Sequence, residues 1–183
     1  MHAPLKADVT LSQFVMIDVQ SRLASVMPTD ALLTVVKNCG ILAQTANMLD
    51  VPMVLTEQYP QGLGHTVPEL SALIPDVQPI EKIVFSCPAE PRFNRQLTRD
   101  RSQIIIAGME AHICILQTAL DLIAAGKHVF VVEDAVISRN PANKTNAIAR
   151  MREAACIITN TESVAFEWLG AANADAFKAA ANL

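Results

Sequence analysis

"SQIIIAGMEAHICILQTALDLIAAG", residues 102–126, holds one complete unit of the fold. Ile104, Ile105 and Ile106 make a continuous apolar run, the pattern of a strand buried on both faces. Ala107-Gly108 closes the run, and a helical period follows until Gly126, at a position that suits a left-handed helix terminus. The unit is a strand, a tight junction and a helix. Within the junction sits one thiol, Cys114, where helix N–H groups have no carbonyl partner and negative charge is favoured.

The same unit recurs along the chain. "QFVMID" (13–18), "PMVLTEQ" (52–58), "EKIVFS" (81–86), "HVFVVED" (128–134) and "CIIT" (156–159) read as further strands. Between them lie helical stretches. In "PTDALLTVVKNCGILAQTANMLD" (28–50), Leu32, Val36, Cys39, Leu42, Ala46 and Leu49 line one face, and Asp30 or Thr29 can cap the start. Pro68 can open a short helix after the Gly/Pro-rich loop 59–70, and another short helix is expected after "CPAEP". "NKTNAIARMREAA" follows the fifth strand, Thr159 and Glu162 have capping-box spacing for "ESVAFEWL", and an Ala-rich helix ends the chain. Continuous apolar strands alternating with helices imply a three-layer α/β/α fold around a six-stranded, mostly parallel sheet. With no repeat or linker in 183 residues, one domain over 1–183 is expected.

Composition narrows the function classes. The chain is 51% hydrophobic and 17% charged, yet no apolar run approaches the ~18–20 residues that span a bilayer. The apolar surplus points to a core plus a subunit contact, so a homo-oligomer, dimer or tetramer, is expected. A net charge of −4 without a basic stripe speaks against a nucleic-acid partner. "MHAPLKADVT" has no export or organelle signal, which favours the cytoplasm, and Cys39, Cys87, Cys114 and Cys156 form no CxxC pair and are expected to be reduced thiols.

In an open parallel sheet, ligands bind beyond the carboxyl ends of the strands. There the sequence places Asp18 after the first strand, Lys82 on the third and Cys114 after the fourth. A helix N-terminus and an ammonium would lower a thiol pKa, a carboxylate could accept its proton, and backbone N–H groups around 110–114 could form an oxyanion hole. Each residue also has a plainer reading: Asp18 as a turn cap, Lys82 as a solvated edge residue, Cys114 as core packing. His112 could touch substrate or pack beside the turn, Cys87 could approach the pocket or stand by, and Asp134 suits a turn cap. Gln58, Tyr59 and Phe85, at strand ends, are candidate pocket lining for a small-molecule substrate.

"FVMIDVQ", "EKIVFS" and "IIIAGMEAHICILQTALDL" resemble the signature segments of the isochorismatase-like cysteine hydrolases. "VLTEQYPQGLGHTVPEL" and "TNTESVAFEWLG" resemble the orphan branch called isochorismatase-domain-containing proteins, so that the likeness runs from about residue 12 to 170. The resemblance implies a triad of Asp18 as base, Lys82 as support for the thiolate and Cys114 as nucleophile. It also implies a non-proline cis peptide at Met109–Glu110 that turns backbone N–H groups, at Glu110 and Cys114, into the oxyanion hole. Glu110 itself is then fixed by the turn and not catalytic. Nicotinamidases in the superfamily bind a metal through Asp-x-His after the second strand. Thr56 and Gln58 stand at those positions here, and His65 alone in a loop is a poor metal site, so neither a catalytic metal nor a cofactor is expected. The expected activity is hydrolysis of a small amide, ester or related carbonyl compound through a thioester. Its rival is a non-catalytic oligomeric scaffold or metabolite binder on the same fold.

Overall fold

The computed structural model describes residues 5–172, and the Ala-rich terminal stretch lies outside them. Six strands, β1 Ser12–Ile17, β2 Met53–Gln58, β3 Ile80–Lys82, β4 Gln103–Met109, β5 His128–Ile137 and β6 Ile157–Thr159, form one sheet in the order β3-β2-β1-β4-β5-β6. Every pairing is parallel. All residues of β1 and β4 are buried, as continuous apolar runs in the middle of a parallel sheet must be.

The helices are α1 Ser21–Ala24, α2 Thr29–Met48, α3 Pro60–Leu63, α4 Pro68–Ser71, α5 Pro91–Gln96, α6 Leu116–Ala124, α7 Pro141–Glu153 and α8 Thr161–Leu169. They divide between two apolar layers. Val35, Cys39, Leu42, Ala43 and Ala46 of α2, with Val164 and Trp168 of α8, cover one face of the sheet. Phe93 of α5, Leu116, Ala119 and Leu122 of α6, and Ala147, Ile148 and Met151 of α7 cover the other. Among the described residues, no helix is long and apolar enough to cross a membrane.

Several boundaries differ from the sequence expectation. β3 stops at Lys82 because the next carbonyls turn inward: Ile83 O accepts from Gln58 Nε2 at 2.9 Å, and Val84 and Phe85 point theirs at Lys82. Neither Thr29 nor Asp30 caps α2, since Thr29 is already helical and Pro28 takes the cap position. Nor does Thr159 cap α8. Asn160 does, accepting from Ser163 N at 2.8 Å, because Thr159 is still in the ladder against Val132. β5 runs past Asp134 to Ile137 through an irregularity. After Ile106–Val131 the ladder resumes at Gly108–Val136 and Met109–Ile137. Asp134 is displaced from the ladder and accepts from Thr161 N and Oγ1, both at 2.8 Å.

The order reverses between β1 and β4, which leave the sheet side by side. A crevice at such a switch point is where open α/β sheets bind ligands. Gly108 lets the two strands end there. At φ 126° it lies where L side chains rarely go, and a Cβ on it would stand 2.0 Å from Ile17 O. Gly108→Ala is therefore expected to destabilise the chain by about 2–3 kcal/mol, read as a lower midpoint in urea. An unchanged midpoint would mean that the β1–β4 approach is looser than described.

Candidate active site

The chain leaves β1 through a sharp turn. Asp18 N donates to Thr56 O at 3.1 Å, Asp18 takes a left-handed φ of 54°, and its carbonyl accepts from Gln20 N at 2.8 Å. This turns a fully buried carboxylate into the crevice. One oxygen, Oδ1, accepts from Thr56 Oγ1 at 2.7 Å, and Oδ2 accepts from Lys82 Nζ at 2.7 Å.

Lys82 ends β3, in register with Gln58 of β2. Its side chain has no exposure. Nζ donates to Gln58 Oε1 at 2.8 Å and reaches Phe85 O at 3.3 Å and Val84 O at 3.4 Å. Burial alone would lower the ammonium pKa, but the Asp18 carboxylate and the Cys87 and Cys114 sulfurs outweigh it and hold the group above its ordinary value. Lys82 is therefore a fixed cation.

Cys114 lies beyond β4. The Met109–Glu110 peptide bond is cis, and residues Ala111–Ile115 form a single π turn ahead of α6. Glu110 O accepts from Ile113 N at 3.1 Å and Ile115 N at 3.3 Å, but not from the intervening Cys114 N. Cys114 is 6% exposed. Burial pushes its thiol above the ordinary range, and the neighbouring Asp18 carboxylate adds to this, while Lys82 pulls the other way. From the sequence alone, a helix end and an ammonium are expected to lower this pKa. In the folded chain burial and the nearby Asp18 carboxylate outweigh them. At rest the proton stays on sulfur.

The isochorismatase-domain family model matches residues 12–163. The chain belongs to the isochorismatase family. It is 38% identical over 144 residues to isochorismatase domain-containing protein 2 of Bos taurus, covering 79% of this chain and 70% of that one. A Caenorhabditis elegans protein described as MAR1 ribonuclease superposes with a TM-score of 0.90 at 32% identity, over 97% of this chain and 91% of that one. YcaC of Escherichia coli, an octameric hydrolase of unknown specificity, does so at 0.88 and 27%, over 99% and 89%. YcaC of Pseudomonas aeruginosa, described with hexane-2,5-diol and covalent acrylamide, does so at 0.87 and 27%, over 100% and 96%. Membership of the isochorismatase family places the chain on a hydrolase fold of the superfamily's orphan branch.

The remaining isochorismatase-family positions sort as follows. Gln58 contacts Lys82 directly. Tyr59 and Phe85 are 53% and 52% exposed, and what approaches Lys82 is their backbone: Tyr59 N donates to Lys82 O at 2.9 Å and Phe85 O faces Nζ. His112 Nδ1 pairs with Ser138 Oγ at 2.9 Å. Glu110 holds Arg139, and Asp134 joins α8 to β5. Cys87 borders the site, with Sγ 4.0 Å from Thr56 Oγ1, and burial raises its thiol to about 11.

The sequence alone assigns no role to several residues around Asp18 and Lys82. Gln20 is one: its side chain accepts from Gln58 N at 2.7 Å and donates to Gln58 O and Gly64 O, tying the ends of β1 and β2 together. Thr56, read only as a non-ligand, is the hydroxyl that satisfies Asp18. Glu57 is buried and accepts from Thr66 N at 2.7 Å and Thr66 Oγ1 at 2.8 Å. Burial alone would raise its pKa, but these bonds and His65 hold it below the usual range. His65, exposed in its loop, pairs with Glu57 at 2.9 Å. Among the described residues no three His, Cys, Asp or Glu side chains converge as metal ligands.

Proposed function

We propose that the chain is a metal-independent cysteine hydrolase acting on a small amide, ester or related carbonyl compound. The observation that carries the reading is the buried Asp18–Lys82 pair at the switch point of the sheet, with the Cys114 thiol within its electrostatic reach. In this reading Asp18 takes the thiol proton as sulfur attacks the carbonyl carbon. Lys82 keeps its charge throughout and stabilises the negative charge as it moves from carboxylate to sulfur. The N–H groups of Glu110, at the cis peptide, and of Cys114, in the π turn, would bind the developing oxyanion. The acid form of Asp18 then protonates the leaving group, and water resolves the thioester by the same steps in reverse.

Covalent acrylamide in the Pseudomonas structure is consistent with a nucleophile in this fold, and it supplies a probe. The net charge of −4 favours a small substrate over a polynucleotide, although the C. elegans relative is described as a ribonuclease. A homo-oligomer is part of the proposal. The E. coli relative is octameric, and Val26, Leu33 and Ile83 here are 54%, 65% and 79% exposed.

Incubation with acrylamide followed by peptide mapping tests the assignment of the nucleophile. The adduct is expected on Cys114 in preference to Cys39, Cys87 and Cys156. Equal or slower modification of Cys114 would favour the non-catalytic scaffold.

A further inference from the structure

Two consecutive residues after β5, Ser138 and Arg139, grip the turn that carries Cys114. We propose that they are positioning residues of the reaction, holding residues 109–114 so that the thiol and the turn N–H groups stay aligned. The inference rests on the reading of Cys114 as nucleophile.

The grip follows from the irregularity in β5. Because the ladder resumes at Gly108–Val136 and Met109–Ile137, Ser138 and Arg139 come next, opposite the start of the turn. Arg139 N donates to Glu110 Oε2 at 3.0 Å, Nε lies 3.1 Å from Oε1 and 3.2 Å from Oε2, and Nη2 lies 3.0 Å from Oε1. Backbone and side chain of one residue thus hold both oxygens of one carboxylate. Two residues on, His112 Nδ1 meets the buried Ser138 Oγ at 2.9 Å. Both polar side chains between the cis peptide and Cys114 are therefore fixed to the same short segment.

The two partners differ in burial. The Glu110 side chain is 4% exposed, whereas that of Arg139 is 56% exposed. Removing the arginine side chain therefore leaves no hole in the core, yet leaves a buried carboxylate on this turn with only the backbone N–H of residue 139 to hold it. A misplacement of ~1 Å at a reacting group can cost about 100-fold in rate. A guanidinium fork fixes a carboxylate in a way that a lysine ammonium does not.

The full-length protein and its Arg139→Ala, Arg139→Lys and Ser138→Ala variants would be compared by two measurements. Hydrogen exchange over residues 109–116 reads the grip, and iodoacetamide labelling of each cysteine at pH 7 reads its consequence. Arg139→Ala is expected to speed exchange in that segment and slow Cys114 labelling about tenfold, with the labelling of the other cysteines unchanged. Arg139→Lys recovers part of the rate, and Ser138→Ala shows a smaller loss. Unchanged exchange overturns the grip. So does faster exchange with Cys114 labelling at the parent rate, or all cysteines labelling faster together, which would report general loosening. If Cys114 in the parent labels no faster than Cys156, the nucleophile reading fails and the positioning role with it, while the exchange data still report whether the segment is held.

Discussion

Cys114→Ser is expected to lower hydrolysis of an activated ester such as p-nitrophenyl acetate by about 10³-fold or more while leaving the fold intact. Serine is close to cysteine in size, and the side chain sits at the mouth of the crevice with 6% exposure, so no cavity opens. The loss is one of acidity and nucleophilicity. An alcohol is a far weaker acid than a thiol, and the proposed base, Asp18, is a carboxylate held by Thr56 and Lys82. Such a base can accept a proton from sulfur during attack but cannot generate an alkoxide. Steady-state rates with matched melting curves check this. A serine variant that keeps most of the parent rate would move the chemistry away from Cys114.

Lys82→Met is expected to destabilise the folded chain by about 3–5 kcal/mol at neutral pH. The substitution keeps the length of the side chain and removes its charge. Asp18 would remain fully buried, with Thr56 as its remaining hydrogen-bond donor in the pair, and Gln58 Oε1 would lose its partner. A buried carboxylate without its cation must either stay ionised at high cost or take up a proton, and in the second state it no longer serves as a base. Urea denaturation of Lys82→Met against the double variant Asp18→Asn/Lys82→Met separates charge from packing. The double variant should recover much of the loss. If both are destabilised equally, the cost lies in the shape of the site and not in the unpaired charge.

The central part of the fold was legible because its signals are local. The isoleucine run 104–106, the apolar run 14–17 and the glycine at 108 each report burial or close approach within a few residues. Asp18, Lys82 and Cys114 could be named because strand ends are where such a sheet places its chemistry, and the resemblance assigned their roles. What escaped is set by pairing across the sheet. The apolar letters of "IVFS" suit a strand, but Lys82 draws the carbonyls of Val84 and Phe85 inward and leaves Ile83 and Phe85 facing outward. Asp134 reads as the end of a strand, yet the ladder resumes beyond it and delivers Ser138 and Arg139 to the turn that carries Cys114. No period within a single strand encodes a displacement relative to its neighbour. The raised thiol of Cys114 was hidden for the same reason: it depends on burial and on Asp18, nearly a hundred positions away in the chain.

The account's central claim is that Asp18 draws the proton from Cys114 as an acyl-enzyme forms. The most direct test is to treat the parent protein and Asp18→Asn with p-nitrophenyl acetate, quench, and map the acetyl group by peptide mass spectrometry over time. The account predicts an acetyl thioester on Cys114 in the parent and markedly slower acetylation in the variant. If Asp18 were only a repelling neighbour of the thiolate, its neutralisation would leave Cys114 acetylation as fast or faster. That result, or acetyl groups found only on other residues of the parent, would contradict the account.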